Sequence, residues 1–319
     1  MSARRFMRAP RAALLTGLLA LATVGSVAAT PADERVALPA PLQEVEKVRL
    51  VLLPTVVKTP GGRPVQGLEA SDFSLFEDGI PQEISVFSTE DDAPVFLVFL
   101  LDLSTSMRLR AQLDDSKWAI GTFLADADPD DRFGLIGFAD DQVDWITEPT
   151  AERSVFLRRL AVQEAQGQTA LYDAMAASPL LVDERAEGRR AIVLLTDGLD
   201  NASELPRLKA SQLARRVHVP IYAVTFIPYD VAMLPRRIGD SLKSLDVFVS
   251  ETGGALFPVH DREDVQRAVA SIQSEIRFQY VIGYYPTPRV WDGAFRRVEL
   301  RTDRKRLDVR TRRGYYAKP

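Results

Sequence analysis

The chain contains no cysteine and only two histidines among its 319 residues. The first absence excludes disulfides, thiolate zinc sites, cysteine nucleophiles and a lipidated N-terminal cysteine. The second leaves His218 and His260 as the whole supply of imidazole, so any histidine chemistry rests on one of the two. There is no Gly-x-Ser-x-Gly elbow and no Walker-type phosphate loop. The Gly61-Gly62 pair reads as a turn. Beyond residue 29 no apolar run is long enough to span a membrane. What is present is ordinary for a globular chain: 46% hydrophobic and 26% charged residues are enough to build a core and keep it in solution. The length suits one domain of ordinary size plus something smaller.

Residues 1–29 have the grammar of a signal peptide. Arg4, Arg5, Arg8 and Arg11 form a basic region, Ala12 to Ala29 is almost wholly apolar, and Val27-Ala28-Ala29 fits a small-residue cleavage site. The expectation is an exported protein, periplasmic or secreted, that meets a membrane only if this segment stays as an anchor. Removing it takes away four arginines and no acid, so the formal charge falls from −4 to −8. That balance argues against nucleic acid as a partner.

Residues 30–45 are rich in Pro and Ala and read as a linker. Over 46–92 short strands are expected: Val48, Leu50 and Leu52 alternate, a turn follows at Lys58 to Arg63, and Asp78-Gly79 is a hairpin signal between Phe73/Leu75 and Ile84/Val86. Over 93–276 the pattern changes to strand and helix in alternation. Val95 to Leu101, Phe133 to Phe138, Ala191 to Thr196, Pro220 to Thr225 and Ala255 to Val259 read as strands, and Asp144 to Thr147 as a short edge strand. Leu113, Ile120 and Leu124 recur at helical spacing, as do Leu242, Leu245 and Val249. Asp261 caps a helix whose stripe is Val265, Val269, Ile272 and Ile276. This predicts a three-layer α/β/α domain with a mostly parallel sheet. Residues 277–319 return to strands: Phe278 to Tyr285, Val298/Leu300 and Leu307/Val309. The last two read as a hairpin with solvated arginines, since residues 289–319 hold eleven basic and four acidic side chains in alternation with apolar ones. The two flanking blocks are expected to form a β-rich unit with the α/β domain inserted between them.

Asp102-Leu103-Ser104-Thr105-Ser106 follows directly on the first buried strand, and alternation lets Asp102, Ser104 and Ser106 face the same side. Ligand crevices in open parallel sheets lie at the carboxyl ends of the strands. Thr169, in Gly167-Gln168-Thr169-Ala170-Leu171-Tyr172-Asp173, and Asp197, in Leu194-Leu195-Thr196-Asp197-Gly198, should reach that same edge. All five are hard oxygen donors, suited to Mg²⁺ (or Mn²⁺ or Ca²⁺) and poorly suited to zinc or copper.

Asp-x-Ser-x-Ser, then Gly-x-Thr-Ala-Leu-x-Asp, then Thr-Asp-Gly resembles the metal-ion-dependent adhesion site of von Willebrand factor A domains. The resemblance covers roughly residues 94–275. It implies that Ser104 and Ser106 bind a divalent cation directly, Thr169 directly or through water, and Asp102 and Asp197 mainly through water or through the other ligands. With neutral hydroxyls in much of its shell the cation stays electrophilic, and a partner protein's Asp or Glu is the expected ligand. The flanks, Leu68 to Gly79 before the domain and Tyr280 to Pro286 with Arg313-Gly314-Tyr315-Tyr316 after it, resemble those of a bacterial group of such proteins.

A hydrolase using Asp102 or Ser104 is the alternative. A haloacid-dehalogenase-type enzyme needs a second acid two residues after the first, where this chain has Ser104. A serine hydrolase needs a base, and both histidines sit where strands begin or end. No catalysis is therefore expected. A metal-free scaffold is a third reading, against which the five intact donors speak. Asp173 fits equally an acid behind the metal ligands and a helix first-turn residue. Asp140, Asp141 and Asp144 read as solvated turn residues rather than a calcium cluster. The long segment Phe226 to Gly239 is expected to be a loop at the metal edge, with Tyr229, Met233 and Arg236 touching the partner.

Overall fold

The computed structural model describes residues 49–89, 93–182, 189–214, 216, 219–227 and 236–317. The signal-peptide and linker expectations, His218, Tyr229 and Met233 lie outside these residues, as does the side chain of Arg236.

The chain first runs through β1 (Val51–Lys58), β2 (Phe73–Glu77), β3 (Ile80–Gln82) and β4 (Ile84–Ser88). The Asp78-Gly79 signal makes the β2–β3 hairpin, with both residues at positive φ as a two-residue turn requires. The α/β part then follows: β5 (Val95–Asp102), α1 (Gln112–Ala125), β6 (Arg132–Ala139), β7 (Gln142–Thr150), α2 (Arg153–Ala161), α3 (Leu171–Leu181), β8 (Arg189–Thr196), α4 (Arg207–Ala214), β9 (Ile221–Phe226), α5 (Arg236–Glu251), β10 (Leu256–Val259) and α6 (Arg262–Arg277). Last come β11 (Tyr280–Tyr284), β12 (Phe295–Thr302), β13 (Asp308–Arg310) and β14 (Gly314–Tyr316).

The central sheet has the order β10-β9-β8-β5-β6-β7, parallel throughout except for β7 at the edge. All eight residues of β5 are buried, which explains its unbroken apolar run: helices cover both faces. Odd-numbered β5 residues from Val95 to Leu101 pack with α1, α2 and α6. Even-numbered ones from Phe96 to Leu100 pack with α3, α4 and α5. Phe99 anchors the first layer, its ring centroid 5.4 Å from that of Phe123 on α1 and 5.9 Å from that of Phe156 on α2. The cap predicted for α6 is formed, with Asp261 accepting from the N–H of Asp264 at 2.8 Å.

The flanking strands form two further sheets, β13-β1-β11-β4 and β14-β12-β2-β3, each built from both ends of the described chain. They share a core that includes Leu53, Leu75, Ile282, Tyr284, Leu300 and Tyr315. Glu77 lies buried in it and accepts from the hydroxyls of Tyr284 at 2.5 Å and Tyr315 at 2.8 Å.

Three expectations need correction. The C-terminal hairpin is not formed: β12 pairs with β2 and β14, whereas β13 pairs with β1. Period-two alternation marks a strand but is silent on its partner. Nor are all the C-terminal arginines solvated, for Arg312 is buried. The segment from Phe226 to Gly239 is not loop throughout, because α5 begins at Arg236. Its first turn carries Arg236, Arg237, Ile238 and Gly239, so the apolar stripe of Leu242, Leu245 and Val249 already begins at Ile238.

Candidate metal site

Parallel pairing brings the carboxyl ends of β5 and β8 side by side, with Leu101 opposite Leu195. Asp102, the last residue of β5, is wholly buried. Its Oδ1 accepts from the N–H of Ser104 at 2.9 Å, and its Oδ2 accepts from Thr196 Oγ1 at 2.6 Å. Burial pushes this carboxyl up to about 7. The bonds from Ser104 and Thr196 pull the other way, and the charge of nearby Asp197 adds to the rise.

Ser104 is buried at the entrance of a 3₁₀ turn over Thr105–Ala111, and Ser106 is half-buried within it. Their Oγ atoms lie 3.0 Å apart. The N–H of Thr105 donates to Gly167 O at 3.0 Å, tying this loop to the one that carries Thr169. Thr169 is wholly buried. Its N–H donates to Asn201 Oδ1 at 2.8 Å, and its carbonyl accepts from the N–H groups of Asn201 and Ala202 at 3.0 Å each. Its Oγ1 is buried and has no hydrogen-bond partner in the structure. Asp197 is buried one residue beyond β8, where its Oδ1 accepts from Leu199 N–H at 3.0 Å. All three loops are therefore stitched to one another, and the five residues gather at one edge of the sheet.

Residues 97–199 match the von Willebrand factor type A domain family. No curated protein matches the sequence. Among solved structures, the chain is similar to the conserved hypothetical protein BatB from Bacteroides thetaiotaomicron, with 19% identity, 57% of this chain and 98% of that one covered, and a TM-score of 0.44. It is similar also to the vWF domain of the type V pili tip protein Mfa5 from Porphyromonas gingivalis, with 12% identity, 58% and 96% coverage, and a TM-score of 0.43. A third is the PilB minor pilin from Streptococcus sanguinis, with 12% identity, 58% and 61% coverage, and a TM-score of 0.46.

Several residues that support this edge of the sheet went unassigned in the sequence. Thr196 is the foremost, since it bridges Asp102 and the N–H of Gly198; its place inside Thr-Asp-Gly was the available signal. Asp200 and Ser203 hold the first N–H groups of α3, with Leu171 N donating to Asp200 Oδ1 at 3.0 Å and Tyr172 N to Ser203 Oγ at 2.9 Å. Asp173 faces that same loop, accepting from Glu204 N at 2.8 Å and Leu205 N at 3.0 Å. Its carboxylate thus holds the backbone of the loop after β8. Asp140 is more than a solvated turn residue: its Oδ1 accepts from Gln168 N at 2.7 Å. Asp141 and Asp144 are exposed, and among the described residues no three His, Cys, Asp or Glu side chains converge as a metal cluster. His260 Nδ1 lies 3.1 Å from Ile227 O.

The donor set fits a hard divalent cation. It offers hydroxyls and carboxylates only, and the buried Thr169 Oγ1 is an acceptor still in want of a partner.

Proposed function

We propose that this protein is an exported binding module that holds one divalent cation, Mg²⁺ or else Mn²⁺ or Ca²⁺, at Asp102, Ser104, Ser106, Thr169 and Asp197. The observation that carries this reading is the orphaned Thr169 Oγ1, on a loop bonded to the two loops that bear the other four donors. Ser104, Ser106 and Thr169 would supply neutral oxygens, and Asp102 and Asp197 the compensating charge. When bound, the cation offers an electrophilic position that takes a carboxylate from a partner protein. Asp102 is oriented by Ser104 N–H and Thr196. Domains of the von Willebrand A type typically serve adhesion or assembly through protein contacts. Export is supported by the basic and apolar N-terminal segment. Nucleic acid is not a proposed partner. No catalytic role is assigned to Ser104, whose Oγ lies 3.0 Å from Ser106 Oγ within the donor set.

The test is thermal unfolding in Mg²⁺ or Mn²⁺ and in chelator. A ligand that binds only the native state stabilises it by about 2.7 kcal/mol at a hundredfold excess over Kd. The metal should raise Tm, and the double variant Ser104→Ala with Asp197→Ala should not respond. An unchanged response in the double variant places the cation elsewhere.

A further inference from the structure

The two flanking sheets and the α/β part enclose a cavity of about 700 Å³. Ala93, Arg189 and Pro220, at the starts of β5, β8 and β9, form one side of it. It therefore opens at the amino edge of the parallel sheet, whereas the five metal-site residues gather at the carboxyl edge. Its size falls within the ~300–1,000 Å³ usual for small-molecule sites.

The walls have two characters. Leu50, Leu52 and Pro54 at β1, with Val281 of β11, make an apolar side. Leu50 and Leu52 are 38% and 44% exposed there, beside a strand whose other face is core. The remainder is aromatic and cationic. The Arg49 guanidinium lies 5.0 Å from the centre of the Trp291 ring, and Trp291 lies 6.4 Å from Tyr315. Four arginines line the cavity, Arg49, Arg189, Arg190 and Arg312. Arg312 is buried; burial pulls its guanidinium down to about 10, which leaves it charged at neutral pH.

Gln279 supplies the second, independent observation. It is 5% exposed and lines the cavity. It stands two residues before Val281, so strand alternation puts it on the cavity side, opposite the core residues Tyr280 and Ile282. The side chain of Gln279 has no hydrogen bond among the described residues, and its amide is open to the cavity. A ligand oxygen accepting from its Nε2 would satisfy it.

We propose that this cavity binds a small organic anion, a carboxylate or phosphate carried on an apolar or aromatic body. The guanidinium forks suit a planar or tetrahedral oxyanion, and Gln279 adds a neutral donor. The apolar wall and the ring of Trp291 would hold the remainder of the molecule. The site is separate from the metal edge and does not depend on the function proposed for it.

The probe is 8-anilinonaphthalene-1-sulfonate, an aromatic anion that fluoresces in apolar surroundings. Titrated into the purified chain in chelator, it should saturate at one site per molecule. Decanoate and decyl phosphate should displace it, and the stronger of the two identifies the head group; decanol should not. Arg49→Ala should weaken probe binding about tenfold, the loss of one charge-assisted bond. Leu52→Trp, a change at an exposed position that fills the cavity, should abolish it. Ser104→Ala should leave it unchanged. Probe binding that fails to saturate, that decanol displaces as well as decanoate, or that survives in both cavity variants overturns the proposal.

Discussion

Thr196 Oγ1 donates to Asp102 Oδ2 at 2.6 Å and accepts from the N–H of Gly198 at 3.0 Å, so one hydroxyl joins the carboxyl ends of two neighbouring parallel strands. Asp102 is wholly buried. Thr196→Val keeps the shape and removes the hydroxyl, leaving a buried carboxyl oxygen and a buried N–H without their partner. The expected cost is about 1–3 kcal/mol of stability, measured by urea unfolding in chelator, together with weaker Mg²⁺ binding. Thr196→Ser should recover most of both. A valine variant that unfolds like the parent would show that Asp102 is oriented by Ser104 alone.

Thr169 gives a prediction of opposite sign. Its Oγ1 is buried without a partner, so the metal-free protein carries an unsatisfied hydroxyl that Thr169→Val removes. In chelator the variant should be as stable as the parent or more so, by up to about 1–3 kcal/mol. In Mg²⁺ the order should reverse, because a ligand has been lost. Two melting curves for each protein decide it. Equal metal responses would remove Thr169 from the coordination sphere.

Gly167 sets the position of the Thr169 loop. Its φ is +80°, and a Cβ there would stand 2.3 Å from Asp140 Oδ2. Gly167→Ala therefore combines left-handed strain of about 1 kcal/mol with a clash against the carboxylate that holds Gln168 N–H. It should lower both Tm and Mg²⁺ affinity. Adding Asp140→Ala removes the clash and not the strain, so it should restore part of the metal affinity. If the single variant binds metal as the parent does, the loop tolerates displacement and its stitching is not needed.

The order of strands and helices in the α/β part was legible because each buried strand is a continuous apolar run and each long helix an apolar stripe. Helix α2 left no such trace: only Phe156 and Leu160 of its nine residues are buried. The five candidate donors were legible as a pattern, and what supports them was not. Asn201, Ser203 and Asp173 act through backbone N–H groups distant in sequence, and Thr196 through the distant carboxylate of Asp102; no local spacing records such partners. Pairing in the flanking sheets was hidden for a related reason. β1 lies between β11 and β13, more than two hundred residues away, and alternation carries no address.

Glu275 is the plainest case of a residue whose role only the fold reveals. The apolar stripe of α6 predicts its helix, yet this acid sits on the buried side, wholly inaccessible to solvent. Its two carboxylate oxygens take Lys58 Nζ from β1 and the guanidinium of Arg310 from β13. Arg310 Nε also donates to Gly253 O at 3.1 Å, and its guanidinium lies 5.8 Å from the centre of the Tyr222 ring. One carboxylate thus fastens the last helix of the α/β part to two strands of a flanking sheet. Glu275→Ala leaves two half-buried cations without their anion, which costs up to about 3–5 kcal/mol. The triple variant Glu275→Leu, Lys58→Met, Arg310→Met removes all three charges and should recover most of that loss, since an apolar cluster of similar volume often replaces a buried ion group without penalty. Urea unfolding of parent, single and triple variants at one pH tests both statements. A single variant within 1 kcal/mol of the parent would mean that the strands hold to α6 by apolar packing and that the charges add nothing.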